Sequence, residues 1–207
     1  MISKRLKAIA SLIDKNSKVI DIGTDHAYLP IFLYNNKITT KITATDVSEK
    51  VLENSFKNLT KNELENKIKL IKSDGFNNVC EKYDIAVIAG MGAHTIIKIL
   101  NSSNLPDKLI IQSNNNIDIL RKNMNELNYK IDKELAILDK NKYYNIIKYE
   151  KGKEKLNNNQ LLFGKSNNKN YYKYLLEKNN ILYKKTKNEK YLSNIANLQN
   201  IIEKILD

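Results

Sequence analysis

The 207-residue sequence has a single cysteine, Cys80, which excludes an internal disulfide and a cysteine-based metal site and fits a reducing compartment. No uncharged apolar run approaches the roughly 20 residues that a helix needs to span a bilayer. The first twenty residues carry Lys4, Arg5, Lys7, Asp14, Lys15 and Lys18, so they lack the apolar core of a signal peptide. A soluble, cytoplasmic protein with no membrane and no metal is therefore expected. Acidic residues are also in the minority, 23 against 35 basic, for a formal charge of +12. Such an excess suggests a polyanionic partner such as nucleic acid, although heavy use of Asn, Lys and Ile is equally what an AT-rich genome imposes. The surplus is uneven. Residues 151–207 hold 12 basic and 5 acidic side chains, a net of +7, which leaves +5 for the longer remainder.

The hydrophobic fraction of 42% suffices for a packed core, and the length allows one α/β domain with a small appendage. Leu6, Ile9, Ala10 and Ile13 lie at helical spacing, which predicts an amphipathic helix over 1–14. Apolar, β-branched runs at 18–22, 42–46, 68–72, 85–89 and 109–112 alternate with helical patterns at 50–60, 93–101 and 117–127. This alternation predicts βαβ units and a mostly parallel sheet. Two more strand-like runs, near 134–138 and 143–149, are close enough to form a hairpin. Residues 151–168 are rich in Lys, Asn and Gly and are expected to form a linker. Two apolar stripes follow, Tyr171 to Leu182 and Leu192 to Ile205, with a break near Asn188; they predict an antiparallel helical hairpin. The chain thus divides into 1–150 and a basic appendage, 151–207.

The most informative segment is Asp21-Ile22-Gly23-Thr24-Asp25-His26-Ala27-Tyr28-Leu29-Pro30, which follows the first strand. A strand ending in an acid, a Gly and a polar turn before a helix is how nucleotide-type ligands are cradled, because Gly lets backbone approach the ligand and helix N-termini offer free N–H groups. A dinucleotide site would carry a second Gly where this chain has Asp25, which argues against a nicotinamide cofactor. Asp46 ends the second strand, where a carboxylate can accept hydrogen bonds from both hydroxyls of a ribose; the alternative is a helix N-cap. Asp74-Gly75 follows the third strand, where the carboxylate can hold an adenine amine or simply form a turn. Gly90-Met91-Gly92 ends the fourth strand and allows backbone to approach a ligand or turn tightly. Gln112-Ser113-Asn114 ends the fifth, and its amides can read a base edge or belong to a polar loop. His94 is expected at the surface or at a cap.

Together, Asp21–Pro30, Ile88–Gly92 and Leu109–Asn114 resemble the TrmK family of bacterial tRNA methyltransferases, which make 1-methyladenine at position 22 of tRNA. The Asp-His-Ala-Tyr-Leu-Pro motif carries the resemblance. It implies an α/β, Rossmann-like class I methyltransferase sheet, mostly parallel with an antiparallel terminal hairpin, and a small C-terminal helical hairpin domain. It also implies S-adenosyl-L-methionine as methyl donor and tRNA as partner; a monomer is expected. Carried over to this chain, Asp21, Gly23, Asp46, Asp74, Gly75, Gly90 and Met91 would hold the cofactor. Asp25, His26, Tyr28, Pro30, Gln112 and Asn114 would face the target adenine, with Asp25 and Tyr28 closest to the chemistry. The sequence departs from the family in Ala93, commonly Gly, and Ser113, commonly Pro; without a fixed φ at Ser113 the loop is expected to be more mobile. Two other outcomes stay open: a class I methyltransferase with another acceptor, and an RNA-binding protein with a vestigial cofactor site.

Overall fold

The computed structural model describes residues 2–102 and 104–205. One sheet contains β1 (Val19–Ile22), β2 (Ile42–Asp46), β3 (Lys69–Lys72), β4 (Ile85–Met91), β5 (Lys108–Ser113), β6 (Tyr129–Asp139) and β7 (Lys142–Lys151). Its spatial order is β3-β2-β1-β4-β5-β7-β6. The first five strands are parallel, and the β6–β7 hairpin joins β5 through antiparallel pairing with β7. The expected class I arrangement is the one observed.

Burial on both faces explains why the central strands are continuous apolar runs rather than alternating ones. Ile20, Ile22, Ala86, Ile88, Leu109 and Ile111 point to the layer of α4 (Ala93–Leu100) and α5 (Ile117–Glu126). Their neighbours Val19, Ile85, Val87 and Ile110 point to the opposite layer of α1 (Lys4–Ala10), α2 (Tyr28–Asn35) and α3 (Glu49–Lys61). The edge strand β3 is different: Lys69 and Lys72 are exposed, and charge on an edge discourages pairing with another chain.

Three expectations are revised. The first helix is shorter than 1–14: Leu12 N and Ile13 N donate to the carbonyls three residues back, and these tighter turns carry both side chains into the core. Strand β6 begins at Tyr129, five residues before the expected start, because a bulge between Ile131 and Lys133 breaks the two-residue alternation that would have announced it. The stretch 151–168 is not all linker. It contains α6 (Asn158–Phe163), started by a reciprocal capping box between Asn157 and Gln160 and ended with Phe163 buried.

Helices α7 (Lys169–Thr186) and α8 (Glu189–Lys204) form the expected hairpin, with Asn188 as the N-cap of the second. They close a third core in which Phe163, Tyr171, Tyr172 and Leu198 pack on Ala136 of β6. Under this core lies a fully buried ion pair, with Arg121 Nη2 donating to Glu134 Oε1. Arg121 Nη1 also donates to the Leu161 carbonyl at 2.9 Å, while Glu134 accepts from Asn145 Nδ2 at 3.1 Å and from Lys165 N at 2.8 Å. Gly164 passes directly over the pair with φ +88°, where a Cβ would collide with both side chains. Replacing Arg121 by Met should strand the Glu134 charge and destabilise the protein by about 3–5 kcal/mol. The double variant R121M/E134Q should recover much of that loss in urea unfolding.

Candidate active site

The order in which successive strands are laid into the sheet reverses between β1 and β4. The connection after β1 leads through α2 to β2 on one side, and the connection after β4 leads through α4 to β5 on the other. The loops therefore part at the carboxyl ends and leave a crevice, the usual ligand position in such sheets. It holds a cavity of about 620 Å³ lined by Gly23, Asp25, Gly90, Met91, Arg5 and Tyr144, among others. Gly23 has φ +74°, a left-handed conformation that favours glycine, and its turn passes beneath the methyl end of Met91. The turn is anchored by Gly23 N and Thr24 N, both donating to the Thr45 carbonyl at 2.8 Å.

Asp21 is buried at the base of the crevice. Burial pushes its carboxyl up to about 6, and the nearby Asp25 and Asp46 carboxylates add to the rise. Asp25 is exposed at the mouth, 3.6 Å from His26 Nε2. His26 and Ala27 both have left-handed backbone, at φ 55° and 54°, a conformation that costs non-glycine residues on the order of 1–3 kcal/mol each. Asn58 Nδ2 holds the strained turn by donating to the His26 carbonyl at 2.7 Å. The rings of His26 and Tyr28 lie 5.3 Å apart, and Tyr28 is 48% exposed, so the ring is not a core aromatic. Pro30 is buried in the first turn of α2, where the N–H it lacks would have no helical partner. It shapes the helix entry and does not line the cavity.

Asp46, at the end of β2, and Asp74, before the Gly75 turn after β3, do not line the cavity; Asp74 lines a separate small hollow of about 90 Å³ with Phe76 and Lys98. The N-cap of α3 is Ser48, and Asp46 Oδ1 accepts from Ser48 N at 2.7 Å, which leaves the other oxygen for a ligand hydroxyl. At β4 an extra residue, Gly90, bulges out between the pairs Ala89–Gln112 and Met91–Ser113. Gln112 and Asn114 hold this bulge. Gln112 Oε1 accepts from Gly90 N and from Arg5 Nη1, at 3.2 and 2.7 Å, and Asn114 Nδ2 donates to the Gly90 carbonyl at 2.7 Å. Gln112 is fully buried, whereas Asn114 reaches the cavity. Ser113 Oγ donates to the Asn115 carbonyl at 2.7 Å, a tie that proline could not make. Ala93 is accommodated in the first turn of α4, its N–H donating to Asn115 Oδ1 at 3.2 Å, and His94 is exposed as expected.

The wall opposite these loops carries no sequence signal. Arg5 of α1 and Asp139, Lys142 and Tyr144 of the hairpin tip complete the cavity, with Arg5 N donating to Asp139 Oδ2 at 3.2 Å and its guanidinium 5.4 Å over the Tyr144 ring. These residues are distant in sequence and carry no motif. Among the described residues no group of three or more His, Cys, Asp or Glu side chains is arranged to hold a metal ion, and no helix is long and apolar enough to cross a membrane.

A sheet of this order with an acid–Gly turn at its switch point defines a Rossmann-like class I methyltransferase. A family model described as a methyltransferase domain matches residues 2–147. MG248 of Mycoplasma genitalium, described as a candidate tRNA methyltransferase, is 33% identical over 157 residues, which are 73% of this chain and 71% of that one. The tRNA (adenine(22)-N(1))-methyltransferase of Bacillus subtilis is 27% identical over 73% of this chain and 66% of its own. Among solved structures, M. capricolum TrmK with S-adenosyl-homocysteine is 33% identical, covers 99% of both chains and superposes with a TM-score of 0.87. Streptococcus pneumoniae Sp1610 in complex with S-adenosyl-L-methionine, a candidate tRNA (m1A22) methyltransferase, is 27% identical over 98% of this chain and 100% of that one, with a TM-score of 0.90. The chain belongs to the TrmK family.

Because the folded protein holds the Asp21 proton more tightly than the unfolded chain, its stability should fall as pH rises from about 4 to about 6 and stay lower above that. Asp21→Asn removes the penalty. The ligand-free variant should be more stable than the parent at pH 7.5, by at most about 3 kcal/mol. The difference should vanish near pH 4 when denaturation is followed across pH.

Proposed function

We infer that the protein transfers the methyl group of S-adenosyl-L-methionine to N1 of adenine 22 in tRNA, a reaction that would place it in the cytoplasm. The observation that carries this reading is the juxtaposition, in one crevice, of the Gly23 turn and Met91 with the exposed Asp25 carboxylate, three residues after which the exposed Tyr28 ring stands against His26. The full-length likeness to TrmK supports it. The residues present fit the cofactor: a glycine turn in left-handed backbone, a buried acid at the end of β1, and an Asp46 oxygen left free at the end of β2. Asp21, Gly23, Asp46, Asp74, Gly75, Gly90 and Met91 would hold it. When bound it supplies an electrophilic methyl on a positively charged sulfur.

Adenine N1 carries a lone pair and is uncharged at neutral pH, so no base is needed to activate it. The protein must align the two reactants, exclude water and balance the positive charge that develops on the base. Tyr28, exposed beside His26, would stack on the extruded adenine. Asp25 would accept from the adenine amine and stabilise the methylated cation. Asn114 would meet the base edge; Gln112 acts through the Gly90 bulge as a positioning residue. Residues 1–150 would bind the cofactor, and the basic appendage 151–207 would contact phosphates.

The deciding experiment is incubation of purified protein with unmodified tRNA and radiolabelled S-adenosyl-L-methionine, followed by nucleoside analysis. Label in 1-methyladenosine, and none with a transcript carrying G at position 22, is the expected result. Bound cofactor without label in tRNA would overturn the choice of acceptor. Asp25→Asn should lower kcat about 100-fold while cofactor affinity changes less than about twofold; equal loss of both would remove Asp25 from the chemistry. Neutralising Lys184, Lys185 and Lys187 at the end of the hairpin should reduce the slope of log K against log salt by about 2–3. An unchanged slope would leave the hairpin with a structural role only.

A further inference from the structure

A second cleft of about 320 Å³ opens beside the first, between the turn after β5, the start of β7 and the paired helices α7 and α8. Asn114, Lys142 and Tyr144 line both hollows, so the two share a wall. The alternation of side chains along β7 builds it. Tyr144 reaches Arg5 on the cavity side, while Tyr143 turns to the helices, its ring 5.1 Å from Tyr174 and 5.6 Å from Tyr171. The floor is rigid: buried Tyr171 donates to Asn145 Oδ1 at 3.1 Å, and Asn145 is bonded in turn to Glu134 of the buried ion pair.

The chemistry of the cleft is specific. Tyr174 and Tyr191, from different helices, are half-exposed on its walls. Lys178 Nζ stands 4.8 Å over the Tyr174 ring, and Lys190 lines the opening. Flat aromatic faces interleaved with cations are how proteins take unpaired nucleotides, by stacking the base and neutralising the phosphate. Lys142 sits on the shared wall, 3.5 Å from the Asn114 carbonyl, where a phosphate linking two nucleotides in adjacent hollows would pass.

We propose that this cleft holds the nucleotide next to the methylated adenine, stacked on Tyr174, so that two consecutive nucleotides of the RNA are splayed across the Asn114–Tyr144 wall. The proposal rests on the tRNA substrate inferred above and adds a second recognition site to it. It also gives the C-terminal hairpin a task beyond phosphate attraction: half of the cleft belongs to α7 and α8, so the hairpin sets which strand geometry can deliver a base to the cavity.

The test uses the full-length protein and tRNA carrying 2-aminopurine on the 5′ or the 3′ side of the target. At one of these positions the wild-type complex should stay quenched, and the complex with Tyr174→Leu, which keeps an apolar contact for Tyr143 but lacks the flat ring, should be brighter. KM for tRNA should rise about tenfold in Y174L, with kcat within twofold and S-adenosyl-L-methionine affinity unchanged. Tyr191→Leu, on the other helix, should raise KM severalfold, and it decides the question if Y174L does not fold. Equal brightness with wild type and variant at both positions, or an unchanged KM in the folded variants, would overturn the proposal. No methylation of tRNA by the wild type would overturn the function itself, which separates the two failures.

Discussion

The parting of β1 and β4 is the constraint on which everything else depends. The strands run parallel and side by side, yet the chain leaves them toward opposite edges of the sheet, so no connection can cover the gap between their carboxyl ends. The gap becomes useful because each strand end carries a residue that only the gap requires. Gly23 lets the first turn pass under Met91, and Gly90 adds a bulge that carries the second loop outward. The loop after β5 then fastens that bulge through Gln112 and Asn114. Three strand ends are thus coupled by side chains whose positions are set by register in the sheet.

Polar burial around the crevice is costly to stability and consistent with a site shaped for a ligand. Asp21 is held in a place that disfavours its charge, and two consecutive non-glycine residues occupy left-handed backbone in the turn above it. Such features persist only when their surroundings over-determine them. Here the surroundings are Asn58, which grips the His26 carbonyl, and the Thr45 carbonyl, which accepts from both Gly23 and Thr24.

A second buried polar feature organises the other end of the molecule. Arg121 and Glu134 come from α5 and β6, but two of their further hydrogen bonds go to the C-terminal segment, at Leu161 and Lys165. A buried pair with those extra partners specifies one docking position better than apolar contacts alone, which tolerate sliding. The consequence reaches the surface: the position of α7 and α8 against β7 decides the width of the tyrosine cleft and its distance from the larger cavity.

Local sequence determined the elements and the chemistry of the strand ends. Apolar runs of four or five residues with helical patterns between them leave little choice but a parallel sheet, and Asp21, Gly23, Asp25 and Asp46 stand out as candidates because ligand turns use acids and glycines immediately after strands. The signal failed where periodicity broke: the bulge at Ile131–Lys133 hid the start of β6, and an Asn-rich run concealed the capping box of α6. The tertiary structure alone decided the opposite wall of the site. Arg5, Asp139, Lys142 and Tyr144 meet there because α1 and the hairpin tip are brought together across more than a hundred residues of chain. It likewise moved Gln112 from the ligand side to the floor of a loop, and set Tyr143 and Tyr144 on different sides of one wall. Spacing along a chain encodes which face of an element a residue occupies; which element that face will meet is settled only when the layers pack.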